Sequence, residues 1–253
     1  MTSSSQPATE ETTIPESASE IISAPVTEAP STQPDLSSFS TEQILAIYTD
    51  ALHKTRTCTD SISVHHKESF SMELQEIKFG QSGSGTSNPI IQKLVTFLTD
   101  AIVKPTETDY AFSGGTAVNE EGETIPLLLP QKSDFTLTPD GIADAQIESS
   151  GDMLHVRLVL IDEKVGFGEK PAINAGAIGY LDTSELSFSI LKIQSCTIDY
   201  TGSVIDAYIR SDGYIDSVTY VINMLTSAQA SGLGLSGSGV LAGSQTEVWQ
   251  INM

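Results

Sequence analysis

Hydrophobic and polar positions divide the chain into a helical opening and a long strand-rich remainder. Ile44, Ile47, Tyr48, Ala51 and Leu52 recur at i, i+3, i+4 spacing, which gathers them on one helix face. Ser40 and Gln43, just ahead, have capping-box spacing, so a first helix is predicted here. From residue 62 the period falls to two. Ile62, Val64, His66 and Glu68 alternate with Ser63, His65 and Lys67, a predicted strand whose first face starts apolar and turns polar. A Gly/Ser loop, Gly80 to Gly85, leads into a second helical pattern. Asn88 is placed as its N-cap and Pro89 as its first residue; Ile90, Ile91, Leu94, Phe97, Leu98, Ala101 and Ile102 form its apolar face, and Pro105 ends it.

The second half alternates. Leu154, Val156, Leu158 and Leu160 point one way along a predicted strand, with His155 and Arg157 opposite. Val204–Arg210 and Tyr214–Met224 flank Ser211-Asp212-Gly213, a hairpin signal because glycine accepts the positive φ that such turns need. Glu247, Trp249 and Ile251 alternate with Val248, Gln250 and Asn252 in a last strand. Early helices followed by hairpin-linked strands predict an α+β fold, a curved antiparallel β-sheet with two or more helices packed on one face.

Composition separates residues 1–39 from the rest. They hold Glu10, Glu11, Glu16, Glu20, Glu28 and Asp35 with no Lys or Arg, and Pro7, Pro15, Pro25, Pro30 and Pro34 among dense Ser and Thr. Such a stretch buries too little apolar surface to offset its ordering entropy, so it is expected to be a disordered tether. Residues 40–253 are expected to form a single domain. The whole chain carries 33 Asp+Glu against 12 Lys+Arg, a formal charge of −21, of which −15 falls on residues 40–253. That charge excludes nucleic acid and direct docking on anionic membrane, both of which need clustered Lys and Arg. Met1-Thr2-Ser3-Ser4-Ser5 has neither the basic nor the apolar region of a signal peptide. Either the protein is cytoplasmic, or an export signal has been removed from it. The Ser/Thr/Pro/Glu-rich leader favours the second, a protein tethered to the cell surface outside the cytoplasm.

Short stretches carry a resemblance. Glu42-Gln43-Ile44-Leu45-Ala46-Ile47-Tyr48, Leu129-Pro130 with the following Leu137-Thr138-Pro139-Asp140, and the closing strands around Ala207, Asp212-Gly213 and Ser217–Tyr220 resemble a family of uncharacterised extracytoplasmic (lipo)proteins of gut Firmicutes. The likeness covers most of residues 40–253. It implies a layout similar to lipoprotein carriers, whose curved sheet can cradle an acyl chain. It carries over no catalytic residues, and the sequence has no lipobox Cys, so an anchor is inferred only.

Candidate chemistry is sparse. Cys58 and Cys196 are either one long-range disulfide or two buried thiols, and without a CxxC they make no thiolate zinc site. Gly232-Leu233-Gly234-Leu235-Ser236-Gly237 fits GxGxxG, but it lies between strand patterns rather than ahead of a helix, so it reads as a hairpin connection. His65 and His66 are adjacent in a strand and point to opposite faces. His66 shares a face with Glu68, and His155 from another strand would complete a metal-dependent or hydrolytic site; scattered surface histidines are the favoured reading. No GxSxG elbow and no Asp-x-Asp-x-Asp-Gly loop is present. Tyr214, Val218, Tyr220, Ile222 and Met224 are placed on one face of a strand, with Trp249 in the last strand. Tyr214, Val218, Tyr220, Met224 and Trp249 are the candidate ligand-binding residues, although a core of this size needs comparable apolar packing. The expectation is a non-enzymatic cell-surface or secreted binding module, with no cofactor, holding a hydrophobic small molecule or a peptide between sheet and helices. The alternatives are the His66/Glu68/His155 enzyme and a structural adhesion or spacer domain.

Overall fold

A computed structural model describes residues 36–79, 105–114, 116–118, 124–126, 129–132, 134–182, 192–232 and 235–253. The expected second helix, the Gly80–Gly85 loop and most of the expected tether lie outside the described residues. At the start of the described chain, a 3-10 turn, Leu36–Ser38, touches the sheet, and Phe39 packs against the core. The domain therefore includes a few residues assigned above to the tether.

Helix α1 spans Thr41–Arg56 and starts where its cap predicts. The Ser40 hydroxyl accepts from the Gln43 N–H, and the Gln43 side chain accepts from the Ser40 N–H at 2.8 Å. These bonds satisfy two backbone donors that the helix cannot pair internally. Ile44, Leu45, Tyr48, Ala51, Leu52 and Thr55 form the buried face. At the far end the Thr55 hydroxyl accepts from the buried Ile215 N–H, which pins the helix to the sheet.

The strands are β1 (Ile62–Phe79), β2 (Thr106–Phe112), β3 (Thr116–Val118), β4 (Thr124–Pro126), β5 (Ile142–Ser150), β6 (Met153–Leu160), β7 (Glu163–Gly166), β8 (Lys192–Tyr200), β9 (Val204–Ile209), β10 (Ile215–Gly232) and β11 (Leu235–Asn252). Nine of them make one antiparallel sheet in the order β2-β1-β11-β10-β9-β6-β5, with β8 also beside β10 and β7 beside β8. The short β3–β4 pair forms a separate two-stranded ladder, bridged to the end of β2 through Ser113 and Thr116. The result is the expected α+β fold, an open, curved antiparallel sheet with helices on one face.

Three strands of 18 residues, β1, β11 and β10, form its axis. The β10–β11 ladder is unbroken from Ser217↔Gln250 to Gly232↔Leu235, so the described residues of the GxGxxG stretch lie in paired strands and not ahead of a helix. Along one edge β10 is too long for a single neighbour: its first part pairs β9 and its second part pairs β8.

Register defines the two faces. Val156, Leu158 and Leu160 on β6, Ile205, Ala207 and Ile209 on β9, and Val218, Tyr220, Ile222 and Met224 on β10 are all buried on the side covered by α1. Helix α2 (Asn174–Ala177) lies on that same side, since the following Gly179 sits against Ile222. Cys58 and Cys196 are buried free thiols, so the open choice between bridge and thiols falls to the thiols.

Bulges adjust the phase. Ile215 opposes Ile209 and Ser217 opposes Tyr208, which leaves Asp216 extra and moves the inward positions by one. Fully buried Ile215 therefore takes the inward place, and Tyr214 does not share the face of Val218, Tyr220 and Met224 as the alternation suggested. On β1 the pairing shifts between Leu74 and Glu76, so that Ile77 falls opposite Gly239.

One close approach specifies its residue. A Cβ on Gly176 would lie 2.2 Å from the Phe135 ring. Gly176→Ala should cost about 1–3 kcal/mol through overpacking, read as a lower urea midpoint with an unchanged slope. Unchanged stability would contradict the contact.

Candidate functional site: a polar band on the core face

On β1 the core-side positions run Ile62, Val64, His66, Glu68, Phe70, Met72 and Leu74. The matching positions on β11 run Ile251, Trp249, Glu247, Gln245, Gly243 and Leu241. An otherwise apolar face is thus interrupted by polar residues at the same level on two adjacent strands. His66 is paired opposite Trp249, and Glu68 opposite Glu247. On the next strand Glu247 opposes Tyr220. The cross-strand register alone assembles these groups.

The side chains form a connected cluster. The Gln245 amide donates to Glu68 Oε1 at 2.8 Å and to Glu247 Oε1 at 3.1 Å. The Trp249 indole N–H points at Glu247 Oε2 from 3.4 Å, and His66 Nε2 lies 3.7 Å from that same oxygen. The His66 and Trp249 rings stack with centroids 4.0 Å apart. Glu247 is therefore held by hydrogen bonds from Gln245 and Trp249, with the His66 ring close by but making no hydrogen bond through Nε2, and its side chain retains 16% exposure. Its partner across the ladder is a second carboxylate. Like charges directly opposite in a sheet destabilise it, and here only one neutral amide bridges them. Among the described residues no Lys or Arg pairs with either glutamate.

Behind the band lies a buried phenol pair. The Tyr48 and Tyr220 hydroxyls are 3.1 Å apart, joining α1 to β10. Burial pushes the Tyr48 pKa up to about 12, against smaller lowering effects from its bond to Tyr220 and from the Arg56 charge. Burial also raises Tyr220, with further upward pushes from Tyr48 and Glu247. Arg56, itself held down by burial, donates to the carbonyls of Leu129 and Gln131.

Of the sequence candidates, Val218, Tyr220, Met224 and Trp249 are buried in the core, and Tyr214 is partly buried against it but off their row. Tyr214 lies under the Lys54 ammonium, 4.4 Å from its ring centroid, at the Arg210–Asp212 turn. Met224 fits beside Gly243, whose missing side chain leaves room for it. His66 and Glu68 do meet in the polar band, but His155 does not join them. It is on β6, separated from β1 by β11, β10 and β9, about 19 Å across the sheet, and it points to the opposite face. Among the described residues no group of three His, Cys, Asp or Glu side chains is arranged to hold a metal ion. Glu247 and Gln245 were missed by motif reading. Their signal was the shared phase with Trp249 and Ile251, carboxylate and amide where the pattern calls for apolar side chains.

No protein-family model matches the chain, and no curated protein or solved structure matches it.

Two measurements check this geometry. Glu247→Gln should raise stability at neutral pH by about 0.2–1 kcal/mol, because it removes one of two opposed charges; a loss of stability would mean that the carboxylate is compensated. The tyrosines make an alkaline prediction. Tyr48 keeps its proton more tightly folded than unfolded, so the stability it contributes is intact below pH 10 and is lost as the pH rises towards about 12. Phenolate absorbance from Tyr48 should therefore appear together with loss of tertiary structure, later than that of exposed tyrosines.

Proposed function

We propose that this domain is a non-enzymatic binding module that takes a peptide-like ligand carrying a cationic group beside an apolar body. The observation that carries this reading is the pair Glu68 and Glu247, half-buried, opposed in register and supplied with no Lys or Arg partner among the described residues. An ammonium or guanidinium placed there would relieve the repulsion and accept the organised oxygens as charge-assisted partners. The neighbouring Phe70 and Met72 on the same face of β1 supply apolar surface for the rest of the ligand. A polar cluster set into an apolar face, with few directing groups, is the usual make-up of a ligand site. The Ser/Thr/Pro/Glu-rich stretch of residues 1–39 supports placement outside the cytoplasm on a tether, and the family resemblance leans the same way.

Trp249 is the single tryptophan of the chain, so its fluorescence reports on the site alone. Titration with a lysine-centred tripeptide flanked by leucines should give a saturable change in its emission. The glutamate-centred counterpart should give none. Glu247→Gln should weaken the response about tenfold or more, since it removes one partner of a desolvated ion pair. A flat titration with both peptides, or equal responses to both, would remove the reading.

A further inference from the structure

The face opposite the polar band carries a second ordered set of groups. One row of register partners crosses the sheet there, from Asp109 and His65 at one edge, through Gln250 and Tyr208, to His155 and Glu148 at the other. Each end places a histidine of the penultimate strand between two carboxylates. His155 Nδ1 is 2.9 Å from Glu148 on edge strand β5, and its Nε2 is 2.9 Å from Asp206 on β9. Its ring stacks on Tyr208 at 4.5 Å with an interplanar angle of 8°. At the other edge His65 Nδ1 is 2.8 Å from Asp109, and its Nε2 is 3.5 Å from Glu107, both on β2.

We propose that His155 is a proton-operated clamp that fastens the edge strand β5 to the sheet when charged and releases it when neutral. The reason is donor arithmetic. An imidazolium has two N–H donors and satisfies both carboxylates, whereas neutral imidazole has one, leaving a lone pair facing a carboxylate. At His155 the loss falls on the edge strand. Asp206 keeps Arg157 opposite it in register, and Glu148 has no such cation. Arg157, Glu148, Asp206 and Tyr208 are the charged and titratable groups around His155. Burial lowers the His155 pKa, but the bonds and charges of Glu148 and Asp206 outweigh it, and the net shift is upward. Folded His155 therefore holds its proton more tightly than the unfolded chain does. Its stabilising share is complete below about pH 6.5 and is lost as the pH rises through the folded value. The effect reaches the start of the domain, because α1 and the Leu36–Ser38 turn both lie against β5.

Backbone hydrogen exchange of the full chain, corrected for intrinsic rates, tests this by comparing pH values either side of the histidine titration. Protection of β5 should drop several-fold on the alkaline side, while β10 and β11 stay unchanged. His155→Gln should abolish the pH dependence at β5. Glu148→Gln, at an exposed position, should move the β5 transition to lower pH. Protection of β5 that does not vary with pH, an equal drop in the central strands, or a β5 transition unmoved by Glu148→Gln would each overturn the proposal.

Discussion

The fold depends on the uninterrupted β10–β11 ladder. Because successive side chains in a strand alternate, this one register commits Val218, Tyr220, Ile222 and Met224 together with Ile251, Trp249 and Glu247 to a single face. Every other strand is attached to it. β1 continues the ladder beyond β11, while β9 and β8 share the opposite edge of β10 in succession. A slip of one residue would turn the whole apolar set towards water and scatter the polar band. α1 then closes the covered face, with the Tyr48–Tyr220 bond and the Thr55–Ile215 bond fixing where it sits.

The polar band runs against the economy of that face. His66, Glu68, Gln245 and Glu247 occupy positions where aliphatic side chains would contribute burial free energy, and two of them are like charges in opposition. Their arrangement is nonetheless specific. One amide spans both carboxylates, an indole and an imidazole converge on one oxygen, and the two rings stack. Groups held in this way at a stability cost are the ones that function most readily explains.

The two faces divide the chemistry. The covered face holds two opposed carboxylates with no Lys or Arg partner among the described residues, at one level of β1 and β11. The outer face pairs its histidines with carboxylates near the sheet margins, where strands have one neighbour and local opening is easiest. The three candidate metal and enzyme residues therefore do not converge. His66 and Glu68 belong to the covered face and His155 to the outer one, so proximity in composition did not become proximity in space.

Local patterns were sufficient to determine the α1 cap, the alternation of β6, the Asp212–Gly213 turn and the α+β class. Each depends on neighbours within a few residues or on a period that the chain itself displays. The phase of β10 was not legible, because a single bulged residue, Asp216, displaces Tyr214 from the row it matched in the sequence. Nor was the site. Glu68 and Glu247 are far apart in the chain and meet only through the β1–β11 register, which depends on how several strands pack at once. By itself the sequence determined which face of each strand is apolar and how acidic the domain is. The tertiary structure alone decided which charges oppose one another, since pairing across strands is set by the common core and not by any segment alone.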